Sequence, residues 1–262
     1  MSMLSPKTFS EVYQVDEDLV LAAQEKIKNK DVLVLGVSGK LGAGKDTVAP
    51  LVLDSLGYTN SVHEFFAKHL KVEVTEAIQK VKDSSTLGSA IDRIELEQNV
   101  ERDKAELIVD NLWTDVKSGL VADAYIRTSS TRFALQFWGS DIRREQDPNY
   151  WVKKAIRSTV TNAAEGKSVL VTDARFENEI DALMALGAFA SRLHVSADVQ
   201  RERIFNRDGI YPSSEALNHI SEISLDRYER NSFFDVVVDT DIHNKFEVAG
   251  IIVDAIKIWS GR

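Results

Sequence analysis

The feature that most constrains this chain is a glycine-rich turn between an apolar run and a helical pattern. Residues 31–53 read DVLVLGV, SGKLGAGKDT and VAPLVL in succession. Val32 to Val37 has the length and β-branched content of a buried parallel strand, and the turn after it opens directly into a helix. Gly39, four intervening residues, Gly44 and Lys45 give the G-x-x-x-x-G-K spacing, with Gly42 as a third small residue and Lys40 and Ala43 completing the turn. Glycines let backbone N–H groups converge on an anion, and a helix N-terminus adds partial positive charge. The spacing predicts a phosphate-binding loop whose Lys45 reaches the β- and γ-phosphates of a nucleotide; a βα turn that holds no ligand is the alternative. Asp46 stands where a Ser or Thr ligand of Mg²⁺ is usual, and the first hydroxyl is Thr47. Asp46 is therefore left to contact the ion or its waters, and Thr47 to bind an α-phosphate.

Composition limits the partners. At 262 residues and 44% hydrophobic content, the chain can bury the core of one large α/β domain, with or without an inserted subdomain. Its 41 acidic and 32 basic residues give a formal charge of −9, which disfavours a general nucleic-acid surface. The absence of cysteine excludes disulfides and thiolate chemistry, and the five histidines show no metal-ligand spacing. The N-terminal sequence lacks a basic segment followed by an apolar core, and no apolar run approaches the roughly eighteen residues of a membrane span. A soluble cytoplasmic protein with no membrane partner is expected.

Along the chain, residues 1–15 read as a loose arm and Asp16 to Lys30 as an amphipathic packing helix, ahead of a main domain at 31–262. Ser61 to Phe66 suits a short strand. Residues 67–126 are charged and helical in pattern, as for an insertion over the C-terminal edge of the sheet. Within Thr128 to Trp151, a Ser/Thr-capped helix carries Arg132 and Gln136 on one face, and Gly139 is expected to break it before Asp141, Arg143 and Arg144. These groups, with Phe137 and Trp138, suit a phosphate and a base; a surface helix with ion pairs and a core Trp fits equally. Lys167 to Asp173 reads as a strand ending in a carboxylate, where a metal-water ligand or base would sit unless Asp173 caps the next helix. Arg175 and Glu179 follow within a turn. Ala188 to Val195 is a further strand. The helix Asp198 to Arg207 carries Arg201, Arg203 and Arg207 into a loop read as mobile, so residues 201–222 suit a lid, or a plain surface helix. Asp235 to Asp239 and Asn244 to Trp259 supply a last strand and a closing helix.

Five motifs in order resemble the deoxynucleoside monophosphate kinases of tailed bacteriophages, relatives of the P-loop nucleoside monophosphate kinases. They are GKLGAGKDT, FAKHLK ending at Lys71, RFALQFWGSD with Arg144 and Trp151 after it, VTDARFENE, and HISE at His219 to Glu222. The resemblance runs from about Val32 to the C-terminus; residues 83–121 and the wording between Arg207 and His219 match no motif. It implies a three-layer α/β P-loop kinase fold with a mostly parallel sheet, a helical insertion at 67–126 and a lid. It also implies transfer of the γ-phosphoryl group of ATP to a deoxynucleoside monophosphate, with Mg²⁺, for DNA precursor supply in the cytoplasm, that of the host for a phage protein. Lys45, Thr47, Asp46 and Asp173 would serve the donor and its ion, the latter two through water. Lys71, Arg132, Gln136, Trp138, Gly139, Asp141, Arg144, Trp151, Arg175 and Glu179 would serve the acceptor. Arg201, Arg203 and Arg207 would close over the phosphates, and a homodimer is a possible assembly. A P-loop kinase of another phosphorylated metabolite, dephospho-coenzyme A for example, shares the donor residues, and a nucleotide-gated binding protein shares the loop alone.

Overall fold

Parallel strands cannot be joined by tight turns, so a chain of short apolar runs separated by helices builds its sheet through helical crossovers. The computed structural model describes residues 3–228 and 233–261; residues 1, 2, 229–232 and 262, which fall in the expected arm and main domain, lie outside the described residues. The chain forms two compact units, Met1–Phe65 with Ala155–Arg262, and Phe66–Lys154.

The first unit begins with α1 (Pro6–Tyr13), α2 (Glu17–Lys28), β1 (Val34–Gly39), α3 (Lys45–Ser55) and β2 (Ser61–Glu64). The second contains α4 (Phe66–Asp83), α5 (Leu87–Gln98), α6 (Arg102–Lys117), α7 (Ser129–Phe137) and a π-helical turn at Trp138–Arg144. Helix α8 (Tyr150–Ala164) carries the chain back into the first unit. There follow β3 (Ser168–Val171), α9 (Glu177–Leu186), β4 (Phe189–His194), α10 (Ala197–Asp208), the short α11 (Ser214–Leu217) and α12 (Ile220–Ile223), a 3-10 turn (Asp226–Tyr228), β5 (Val236–Asp239) and α13 (Lys245–Ser260).

The five strands among the described residues are parallel in the order β2-β3-β1-β4-β5, which makes the fold of this unit α/β with β1 at its centre. The period-two rule divides β1 between the two faces. Leu35 and Val37 enter a core with Val48 and Val52 of α3 and Ile252 and Ile256 of α13. Gly36 and Ser38 point the other way. A Cβ on Gly36 would stand 3.2 Å from Leu183 of α9, and the Ser38 hydroxyl donates to the Ala174 carbonyl at 2.9 Å. Helices thus cover both faces, and the strands need no polar alternation.

Two local expectations are corrected. Residues 5–13 are not a loose arm: the Ser5 hydroxyl accepts from the Thr8 amide at 3.2 Å, and Pro6 fills the first turn of α1, where no donor is needed. Phe9 is fully buried, and the Leu4 amide donates to the Ala185 carbonyl at 3.0 Å. Burial of a side chain of that size contributes about 1.5–3 kcal/mol toward ordering the segment. Gly139 does not break its helix. The chain widens into the π-helical turn, where the Gly139 carbonyl accepts from Trp151 Nε1–H at 3.1 Å and Leu70 packs against the bare Cα.

The second unit is helical throughout its regular elements, with Val74, Ile78, Ile94, Ile108, Leu112 and Trp138 in one core. It extends from the expected insertion at 67–126 to Lys154, and so takes in Arg132 to Trp151 as well.

Candidate functional site

The glycine-rich loop joins the C-terminal end of β1 to α3, at the carboxyl edge where open parallel sheets bind ligands. Gly39 has φ +149°, and a Cβ there would fall 2.7 Å from the Leu193 carbonyl, so only glycine lets the loop leave the sheet this closely. Gly44, at φ +90°, precedes α3 and offers no side chain to cap it. The first amides of α3 thus lack the hydroxyl or carboxylate partner that most helices place there.

Lys45 is the first residue of α3 and is buried, with 8% of its surface exposed. Its ammonium donates to the Gly39 carbonyl at 2.7 Å and the Lys40 carbonyl at 2.9 Å. Desolvation lowers its pKa to about 8; Arg175 and Arg192 push the same way, against the opposing pull of Glu222 and Asp46. The lysine is held near the loop in a place that disfavours its own charge, which an arriving anion would relieve.

A network of ionic contacts braces this loop. Glu222 accepts from the Leu41 amide at 2.7 Å, from Gln200 at 3.4 Å, and from the Arg175 guanidinium in a short ion pair. Asp226 pairs with Lys40 at 2.7 Å and with the buried Arg192 at 2.9 Å, while Arg192 also donates to Ser38 Oγ at 3.2 Å. Arg203 donates to the Gly42 carbonyl at 3.3 Å, and to the Thr240 hydroxyl and carbonyl at 2.9 and 2.6 Å. A cavity of about 150 Å³ opens beside the loop, lined by Gly42, Gly44, Thr47, Arg203, Thr240 and Lys245 among others.

Asp46 is exposed at the start of α3, and its Oδ1 accepts from the Thr172 hydroxyl at 2.6 Å. Thr172 directly follows β3 and precedes Asp173, which is half-buried. His63 Nε2 meets the same hydroxyl at 2.8 Å. Desolvation lowers the His63 pKa, against Asp46 and Glu64, so the ring is neutral at neutral pH.

Of the residues expected from sequence, Gly39, Lys40, Gly42, Ala43, Gly44, Lys45, Asp46 and Thr47 form the loop and helix start, with Arg175 and Arg203 in its bracing network. Arg201 and Arg207 are exposed, and Arg207 pairs with Asp208 at 2.7 Å; neither takes part in that network. The stretch read as a mobile loop contains α11 and α12. Glu179 is buried, and its carboxylate accepts from the Arg175 and Phe176 amides at 2.7 and 3.1 Å, so it closes the first turn of α9 and is not presented to a ligand.

In the second unit, α7 carries Arg132 and Gln136 on an exposed face, capped as expected by Thr128, whose hydroxyl accepts from the Thr131 amide at 3.1 Å. Asp141 is exposed, Arg144 is half-buried, and the Lys71 ammonium sits 4.9 Å from the centre of the Tyr125 ring. Trp138 and Trp151 are corrections: both rings are buried in packing, and their indole N–H groups donate to Glu73 and to the Gly139 carbonyl. Gly139 is likewise covered by Leu70.

Sequence reasoning did not single out Glu73, His63, Thr172, Arg192 or Asp226. The charged Arg192 inside the apolar run FASRLH was a readable signal for one of them. Glu73 is buried and accepts from Trp138 Nε1 at 3.0 Å, Arg143 Nε at 2.8 Å, the Tyr150 hydroxyl at 2.6 Å and Lys154 at 2.8 Å. Burial alone would raise its pKa; the bonds from Lys154, Tyr150, Trp138 and Arg143 outweigh that and hold it below the usual carboxylate range. A cleft of about 410 Å³ lies over this node. Among the described residues, no helix is long and apolar enough to cross a membrane.

No family model matches the chain. Over 89 residues it is 34% identical to the "Uncharacterized protein ORF77" of Ictalurid herpesvirus 1 (strain Auburn), a match that spans 34% of each chain. The chain thus covers about a third of that viral protein's length.

Proposed function

We propose that the glycine-rich loop binds the triphosphate of ATP, and that the chain transfers the γ-phosphoryl group to the 5′-phosphate of a deoxynucleoside monophosphate, giving a deoxynucleoside diphosphate and ADP. The observation that carries the reading is Lys45: a buried ammonium with a depressed pKa, on a glycine loop at the end of the central strand of a parallel sheet. The sheet order and the loop's position support a P-loop kinase fold. The acceptor class rests on the ordered motifs at Lys71, Arg132 to Asp141, Asp173 to Arg175 and His219 to Glu222.

Transfer between two anionic phosphates is limited by bringing like charges into line and by charge on the transferred group. Lys45 and the uncapped amides of α3 neutralise donor phosphate, and Thr47 holds its inner end. Arg203 lies between the loop and the adjoining cavity, which suits the rest of the donor nucleotide. Arg175, released from Glu222, has the planar fork that fits a phosphate. Lys71, Arg132, Gln136, Asp141 and Arg144 are assigned to the acceptor.

The donor set fits magnesium. Asp46 carries a carboxylate at the first turn of α3 beside the loop, and Asp173 directly follows the Thr172 whose hydroxyl bonds Asp46; magnesium commonly takes only one or two protein carboxylates, with water and substrate phosphates as its other ligands. Bound with the nucleotide, the ion would supply neutralisation of the phosphate oxygens. An already ionised acceptor needs no strong base, so Asp173 is an orienting group. The reading implies a cytoplasmic enzyme acting on small molecules.

The test is ADP release from ATP and Mg²⁺ with dAMP, dGMP, dCMP, dTMP and the ribonucleotides added singly. Stimulation by a deoxynucleotide supports the reading and gives its base preference. Stimulation only by a different phosphorylated metabolite would move the acceptor class, and stimulation by none would overturn the transferase assignment.

A further inference from the structure

The contacts around Asp46 have a fixed direction. An ionised carboxylate only accepts hydrogen bonds, so in the 2.6 Å contact with Asp46 Oδ1 the Thr172 hydroxyl must be the donor. Its single proton is then used. The 2.8 Å contact between Thr172 Oγ1 and His63 Nε2 can therefore be made only by an Nε2–H on the imidazole, donating to a lone pair of the hydroxyl. His63 sits on β2, in parallel register beside Leu170 of β3, and its ring packs against Phe65 with centroids 3.9 Å apart and planes tilted by 36°. The ring is thus steered by the sheet and by an aromatic neighbour, and it orients the hydroxyl that in turn orients the carboxylate.

We propose that His63 is a positioning residue for the candidate nucleotide site: acting through Thr172, it fixes the Asp46 carboxylate toward the hydrated divalent cation that accompanies a nucleoside triphosphate. This rests on the proposed function above. The relay gives a physical account of the residue after Lys45. A Ser or Thr there would meet the ion with its own hydroxyl; an Asp has a longer, freely rotating carboxylate, and a hydroxyl from the residue after β3 holds it in place. Partners behind a metal-facing ligand commonly alter metal affinity by about 10–100-fold when removed.

The test uses the full chain and a fluorescent ATP analogue, titrated in EDTA and again with Mg²⁺ varied at fixed nucleotide. Thr172→Val keeps the shape and loses the hydroxyl; His63→Leu loses the donor on an exposed side chain; His63→Gln restores an N–H donor. The expected result is a rise of about tenfold in the Mg²⁺ concentration for half-maximal binding in T172V and H63L, little change in H63Q, and unchanged affinity in EDTA for all three. Thr172→Ser, which keeps the donor, should behave like the parent, and H63L with H63Q carries the test if T172V does not fold. Parent-like Mg²⁺ dependence in H63L and T172V, or in H63L by itself where T172V does not fold, would overturn the inference alone, as would equal weakening with and without Mg²⁺, which marks a structural brace. If the parent chain binds no nucleotide under either condition, the loop assignment itself fails and this inference falls with it.

Discussion

Two buried charges, one in each unit, are treated in opposite ways. Glu73 in the second unit is surrounded by four donors from the π-helical turn and α8, two of them cationic, and its pKa falls below the usual range. Lys45 in the first unit has two neutral carbonyls, and two arginines among the charges that set its pKa, which falls toward neutrality. Among the described residues no carboxylate is in direct ion-pair contact with it. A buried charge whose partners are all supplied by the protein ties elements together, and removing it leaves those partners uncompensated. A buried charge left short of counter-charge costs stability and holds affinity for an anion from outside. The cleft over Glu73 accordingly has a floor already committed, whereas the loop around Lys45 has amides and an ammonium still to be used.

Removing each charge in turn should have opposite consequences. Glu73→Ala should cost about 3–5 kcal/mol of unfolding free energy, read by chemical denaturation, because Arg143 and Lys154 lose their counter-charge. ATP binding by the folded fraction should remain close to that of the parent. Lys45→Met should do the reverse: turnover falls by about 10²–10³-fold, as for loss of one preorganised charge-stabilising donor, while stability at pH 7 is equal or greater. Loss of stability in the lysine variant would contradict the contrast.

Smaller effects are expected at the loop. Gly39→Ala should cost about 1–3 kcal/mol, since its φ of +149° and the Leu193 carbonyl both oppose a Cβ; thermal unfolding would show it. The pH dependence has a definite sign. The folded Lys45 pKa, about 8, lies below the ordinary 10.5, so between these values the unfolded chain binds more protons than the native one. The Lys45 penalty is fully present below pH 8 and is relieved as pH rises toward 10.5. Parent stability, referenced to Lys45→Met, should therefore increase by about 1 kcal/mol per pH unit over that window. Nucleotide affinity should fall over the same window, because binding then requires uptake of a proton.

The sheet was legible because strands buried on both faces read as unbroken apolar runs, and Val32 to Val37, Lys167 to Asp173 and Ala188 to Val195 each overlap an observed strand. The glycine spacing located the loop for the same local reason. Helix α1 was missed although Ser5 and Pro6 form a readable start, because eight residues carry too little periodicity against an arm. Gly139 was misread as a breaker; only tertiary contacts with Leu70 and Trp151 make a widened turn favourable there. The aromatic character of Trp138 and Trp151 suggested a base platform, but their burial depends on helices from across the second unit. Glu73 and Arg143 are 70 positions apart, and Asp46 and Thr172 are 126 apart. Pairings at that distance leave no spacing pattern in a single sequence.

The most direct test is equilibrium binding of ATP to the parent chain and to Lys45→Met at pH 7, with circular dichroism confirming that both are folded. Saturable binding by the parent and a loss of about 10²-fold or more in the variant are expected. Equal affinity in the two folded proteins, or no binding by the parent, would contradict the assignment of the glycine loop to a nucleotide.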